Sequence, residues 1–64
     1  MALIDVKEVM KITKTAESTA YQLMRKLNEE MRAKGYITLR GKIERTYLLE
    51  RLGIPETDIT VDQE

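Results

Sequence analysis

Residues 17–35 read ESTAYQLMRKLNEEMRAKG, the longest regular pattern in this chain. Apolar side chains recur there at steps of three and four residues, which places them on one face of an α-helix. These are Ala20, Leu23, Met24, Leu27 and Met31. Gly35 follows, and glycine readily takes the left-handed conformation with which many helices end. We therefore predict a long helix from Glu17 to Lys34. Its opposite face is polar and carries Ser18, Gln22, Arg25 and Glu29.

A shorter helix is expected on the N-terminal side of this pattern. Asp5 and Glu8 have the spacing of a capping box, in which the first carboxylate accepts from first-turn amides. The apolar stripe that follows ends at Ile12 after fewer than two turns. Residues 13–16 then break the pattern, and Thr15 is expected to cap the long helix by accepting from the amide near Ser18. Two helices joined by a tight turn result.

The C-terminal side predicts a hairpin and a third helix. Residues 36–39 (YITL) alternate and are rich in strand formers, residues 40–42 (RGK) offer a glycine turn, and Ile43 opens a return strand. Helical spacing resumes over residues 44–52 and stops at Gly53. The apolar positions of this third helix are Tyr47, Leu48, Leu49 and Leu52. The predicted class is α+β and mainly helical, with three helices and a two-stranded β-hairpin.

Composition favours binding over catalysis. A chain of 64 residues holds one domain, and without cysteine or histidine it has no disulfide, thiolate or imidazole chemistry. We expect no enzymatic activity, no cofactor and no metal site. No apolar run approaches the ~20 residues of a membrane span, so we expect a cytoplasmic protein.

The charges divide the chain into two parts. Residues 1–54 hold 11 basic against 7 acidic residues, a net charge of +4, whereas residues 55–64 hold four acidic residues and none that are basic. We predict a folded domain over residues 1–54 and a disordered acidic tail over residues 55–64. A basic domain is suited to phosphate contacts. The tail is interpreted either as a solubilising segment, which we favour, or as one that weakens non-specific attachment.

The order of short helix, tight turn, longer helix and basic hairpin is typical of DNA docking. The second helix offers Gln22 for adenine and Arg25 for guanine or phosphate, and the hairpin tip offers a wing for the minor groove or for the DNA backbone. The predicted DNA contacts are Lys14, Thr15, Ser18, Thr19, Tyr21, Gln22, Arg25, Lys26, Arg40, Lys42 and Arg45. Double-stranded DNA is the expected partner.

Structural interpretations of the same residues stay open. Arg25 with Glu29, and Lys26 with Glu30, have the spacing of surface ion pairs on a solvated helix. Tyr21 and Tyr36 are as suited to packing as to DNA contact. Arg40 and Lys42 also serve solubility.

Four segments together resemble one family. DVKEVMKI (5–12), STAY (18–21), RKLNEE (25–30) and KGYIT (34–38) are similar to the small excisionase-like proteins of phages and integrative conjugative elements, and the likeness covers residues 4–52. It implies a winged helix-turn-helix related to the MerR DNA-binding domain. It also implies binding at attachment-site DNA, cooperation between adjacent copies, and a tyrosine recombinase as partner, without catalysis by the protein itself.

The chain departs from the family pattern at three places. Lys14 stands where glycine is usual, Ala16 where a serine cap is usual, and Glu44-Arg45 where a proline and a base are usual. Our first hypothesis is an excisionase, or recombination directionality factor. The second is a transcriptional regulator of a mobile element. The third, of another class, is a protein-interaction adaptor that uses the third helix.

Overall fold

The computed structural model describes residues 2–55 of the chain. The elements in chain order are β1 (Leu3–Ile4), α1 (Val6–Thr13), α2 (Glu17–Ala33), β2 (Ile43–Glu44) and α3 (Arg45–Leu52). The three predicted helices are therefore confirmed. The predicted disorder of the acidic tail concerns residues that, apart from Pro55, lie outside the described part.

Helix α1 begins and ends through local hydrogen bonds. The Glu8 amide donates to Asp5 Oδ1 at 3.1 Å, so the predicted cap is confirmed. At the other end Lys14 has φ 57° and ψ 41°, and its amide donates to the Met10 carbonyl at 2.7 Å. Lys14 is the one non-glycine residue of the described chain with a positive φ. The left-handed residue redirects the chain into the turn before α2.

The predicted cap of α2 is wrong. Ala16, which has no side-chain acceptor, occupies the N-cap position, and no side chain caps this helix. Thr15 precedes it, and its hydroxyl is hydrogen-bonded to the Thr13 hydroxyl at 2.7 Å instead. Helix α2 thus starts one residue later than the threonine cap requires.

The predicted glycine stop after α2 is confirmed. Gly35 has φ 94°. The Tyr36 amide donates to the Met31 carbonyl and the Gly35 amide to the Arg32 carbonyl, each at 3.0 Å. These two bonds satisfy helix-end carbonyls in the manner of a Schellman motif.

The sheet has two antiparallel strands, as predicted, but the predicted hairpin is wrong. Strand β2 pairs with β1, with Leu3 opposite Glu44 and Ile4 opposite Ile43, and residues 36–42 form a loop outside the sheet. The reason is that α3 starts at once: Glu44 Oε1 accepts from the Tyr47 amide at 2.8 Å and caps the helix. Only Ile43 and Glu44 are then left to form a strand before α3. These pair with the N-terminal strand.

One core joins the helices to the sheet. It contains Val6, Val9, Ala20, Met24, Leu27, Met31, Ile43 and Leu48. Ile43 is completely buried, which explains why β2 lies against the helices and is not the arm of an exposed hairpin. Helices α1 and α2 pack directly on each other. None of the helices in residues 2–55 is long and apolar enough to cross a membrane.

Helix α3 is fastened to α2 by a polar cluster around Glu30. Arg51 Nε and Nη2 donate to the two carboxylate oxygens at 2.7 Å each, and the Tyr47 hydroxyl donates to Oε1 at 2.8 Å. The Arg51 and Tyr47 hydrogen bonds lower the pKa of Glu30 from 4.5 to about 2, and the same ion pair raises the pKa of Arg51. The Lys34 ammonium lies 4.9 Å from the centre of the Tyr47 ring, at the end of α2.

Candidate nucleic-acid interface

The N-terminal half of α2 presents its polar side chains to solvent. Six of the predicted contact residues lie there and all are exposed: Ser18, Thr19, Tyr21, Gln22, Arg25 and Lys26. They can be exposed because the apolar positions of the same helix face the core. Lys14, in the turn before α2, is exposed as well. Thr15 is half-buried and shares its hydroxyl with Thr13, so it is less available than the sequence suggested.

A groove of about 820 Å³ runs between α2 and the 36–42 loop. We call it the α2–loop groove. Helix α2 and the loop together line it with Tyr21, Met24, Arg25, Asn28, Arg32, Thr38, Leu39, Arg40 and Gly41. The structure thus brings three of the predicted contact residues, Tyr21, Arg25 and Arg40, to one place. They are distant in sequence, and the loop folding back along α2 is what joins them.

Arg32 is a groove residue that the sequence analysis missed. It follows Arg25 by seven residues, which is two helical turns, so both lie on the same side of α2. That spacing was a usable signal. Its Nη2 donates to the Thr38 hydroxyl at 3.2 Å, which ties the middle of the loop to the helix.

The groove carries positive charge without an acidic neighbour in its lining. Three arginines, Arg25, Arg32 and Arg40, border it, and no Asp or Glu is among the described residues that line it. Glu30, the acid of the expected Lys26–Glu30 pair, accepts from Arg51 with both carboxylate oxygens, and the charge of Lys26 adds to the lowering of its pKa. A groove with three cations and an aromatic hydroxyl is suited to phosphodiester oxygens and sugar edges.

The remaining predicted contacts lie outside this groove. Ser18, Thr19, Gln22 and Lys26 are exposed on α2 but do not line it. Lys42 is exposed at the end of the loop. The charge of Lys42 also acts on Asp5, whose pKa is lowered chiefly by the hydrogen bond from the Glu8 amide. Arg45 is half-buried at the start of α3, where its amide donates to the Ala2 carbonyl at 2.8 Å. The main chain of Arg45 therefore connects α3 to the N-terminal segment next to β1.

The expected apolar face of α3 is occupied by the core. Leu48 and Leu49 are buried, and Leu52 is 37 % exposed. The large apolar side chains that are more exposed than Leu52 lie elsewhere, on β1, α2 and the loop, with Ile37 93 % exposed. The adaptor hypothesis therefore lacks the continuous α3 surface on which it was based.

Comparison of the chain with protein-family models, with curated proteins and with solved structures finds no match.

Proposed function

We propose that this protein binds double-stranded DNA in a sequence-specific manner through α2 and the 36–42 loop. The observation that carries the proposal is the α2–loop groove, in which Tyr21, Arg25, Arg32 and Arg40 meet with no acidic side chain in the lining. The exposed polar half of α2 is continuous with it along the helix. A DNA duplex can contact the polar half of α2 and the α2–loop groove at the same time, because the base edges of its major groove are bordered by phosphates.

In this proposal α2 enters the major groove with its N-terminal half. A helix with side chains is about 10–12 Å across and the groove is about 12 Å wide, so one helix fits. Gln22 pairs with adenine and Arg25 with guanine or an adjacent phosphate, each worth roughly 1–3 kcal/mol of discrimination where it reaches a base. Ser18, Thr19 and Lys26 flank that row, and the free amides of the first turn attract phosphate.

The loop acts as the wing. Arg40 lies at a turn that Gly41, with φ 77°, permits, and together with Arg32 it grips the sugar-phosphate backbone. Lys14 and Lys42 contribute phosphate contacts that are independent of sequence. In this proposal α1, α2 and the 36–42 loop form a variant of the winged helix-turn-helix in which an irregular loop replaces the β-hairpin.

The resemblance of residues 4–52 extends the proposal to a recombination directionality factor, or excisionase. Such a protein binds attachment-site DNA as adjacent copies and directs a tyrosine recombinase toward excision. The same contacts serve a transcriptional regulator of a mobile element, which binds a promoter operator. DNA from the element that carries the gene separates the two: laddered shifts at its ends favour the excisionase, and one shift at a promoter favours the regulator.

Variants test the docking arrangement itself. Arg25→Ala and Gln22→Ala are expected to reduce binding to specific DNA more than to random DNA, whereas Arg40→Ala weakens both alike. Lys34→Ala is the matched control, because it also removes one charge but lies at the far end of α2 beside Tyr47. Mobility-shift titrations of all four against both DNAs give the comparison. Unchanged isotherms for the first three variants contradict the proposal.

A further inference from the structure

The 36–42 loop carries Arg40 but is not part of the sheet. Its own backbone hydrogen bonds are local. The Tyr36 amide closes the end of α2, and the Lys42 amide donates to the Leu39 carbonyl at 3.1 Å across the Arg40-Gly41 turn. Neither bond fixes the turn relative to the N-terminal half of α2. Some other contact must do so if Arg40 and Arg25 are to act on one duplex.

Asn28 supplies that contact. Its Nδ2 donates to the Lys42 carbonyl at 2.8 Å, a bond between residues 14 apart in sequence. Asn28 is only 9 % exposed and is the one buried polar or charged side chain among residues 2–55. An amide is costly to bury without a partner, so this bond and the packing around it depend on each other. The acceptor is the last carbonyl before β2, which is itself held by the β1 pairing.

A second tether is more exposed. Arg32 Nη2 donates to the Thr38 hydroxyl at 3.2 Å in a solvent-exposed bond. Water competes for such a bond, so it holds the loop less firmly than the buried amide does. Asn28 and Arg40 both line the α2–loop groove, Asn28 as a buried side chain and Arg40 as an exposed one.

We propose that Asn28 is a positioning residue for DNA binding, which holds the Arg40 turn at a fixed place beside α2. The inference rests on the proposed function. Asn28 is too buried to be a principal contact of the duplex, and it acts through the loop. Without the Asn28–Lys42 hydrogen bond the Arg40 turn is less ordered in the free protein. DNA binding must then order that turn, and this cost weakens the affinity.

A double-mutant cycle tests this. Asn28→Leu keeps the number and branching of the side-chain heavy atoms, makes the side chain larger and apolar, and removes the donor. We expect it to lower DNA affinity about fivefold in the wild-type background and less than about twofold in the Arg40→Ala background, since coupled residues are not additive. Thr38→Val, which removes only the exposed tether, is the matched control and should change affinity less than Asn28→Leu. A thermal melt of each variant sets the temperature at which all are fully folded before binding is measured.

The outcomes separate the two proposals. Equal losses from Asn28→Leu in both backgrounds contradict positioning through Arg40, while DNA binding by α2 stands. Unchanged affinity in Arg25→Ala and Arg40→Ala contradicts the proposed function and the inference with it. Where Asn28→Leu does not fold, Asn28→Ser replaces it in the double-mutant cycle. The shorter serine side chain loses the 2.8 Å hydrogen bond to the Lys42 carbonyl and places no large apolar group in the lining of the groove.

Discussion

Lys14 is held in a backbone conformation that glycine adopts more easily, and replacing it with glycine should stabilise the protein. A residue with a Cβ pays roughly 1–2 kcal/mol in the left-handed region. Lys14 sits there with φ 57° and ψ 41°. Glycine removes that cost but loses about 0.5–1 kcal/mol more backbone entropy on folding. Lys14→Gly is therefore expected to add about 0.5–1 kcal/mol to the free energy of unfolding. For a domain of this size that is a rise of about 2–8 °C in Tm.

Urea denaturation followed by far-ultraviolet circular dichroism measures this change. Lys14→Ala is the first control, because it removes the same charge and keeps the Cβ, so it should bring no gain. Lys11→Gly is the second control. It places glycine inside α1 and should cost about 1 kcal/mol. A Lys14→Gly variant less stable than wild type, or a Lys14→Ala variant equally stabilised, would refute the reasoning from backbone strain.

Two further predictions concern the core and the polar cluster. Leu27→Ala should destabilise the fold by about 2–5 kcal/mol, because Leu27 is buried at the centre of α2. Leu39→Ala, at an exposed loop position, should change stability by less than about 0.5 kcal/mol. Urea unfolding measures both changes, and similar losses of stability in the two variants would contradict the core assignment. The depressed pKa of Glu30 means that its ion pair with Arg51 stabilises the fold at pH values above about 4.5 and that this contribution is lost as the pH falls toward 2. Thermal melts over that range should show the Tm difference between wild type and Glu30→Gln shrinking as the pH falls, and a constant difference would contradict the assignment.

The helices could be predicted from the sequence because their signals are local. The Asp5 cap, the apolar stripe of α2 and the stops at Gly35 and Gly53 each depend on residues within one or two turns. The cap of α2 could not be chosen the same way. Thr15 is a good capping residue, but once Lys14 turns the chain its hydroxyl is directed to the Thr13 hydroxyl, to which it donates, and not to the first amides of α2. Which of two adjacent residues becomes the cap depends on that backbone angle.

The sheet could not be predicted because its pairing is not local. Alternation in residues 36–39 describes a segment that fits a strand, but pairing requires a partner of sufficient length. Glu44 capping α3 shortens the partner to two residues, and the N-terminal strand, about 40 residues away, takes them. The same error concealed part of the candidate site. With a hairpin expected, nothing suggested that the loop would lie along α2 and bring Arg32 and Asn28 to Arg40.

The salt dependence of DNA binding tests the central claim most directly. Each phosphate contact contributes about 0.9 to the slope of log affinity against log salt concentration for duplex DNA. Fluorescence anisotropy with a labelled duplex at a series of salt concentrations gives that slope for wild type, Arg40→Ala and Lys34→Ala. We predict steep salt dependence in wild type, a slope smaller by about 0.9 in Arg40→Ala, and no change in Lys34→Ala. Absence of binding at low salt, or equal slopes for all three proteins, would contradict DNA docking through α2 and the loop.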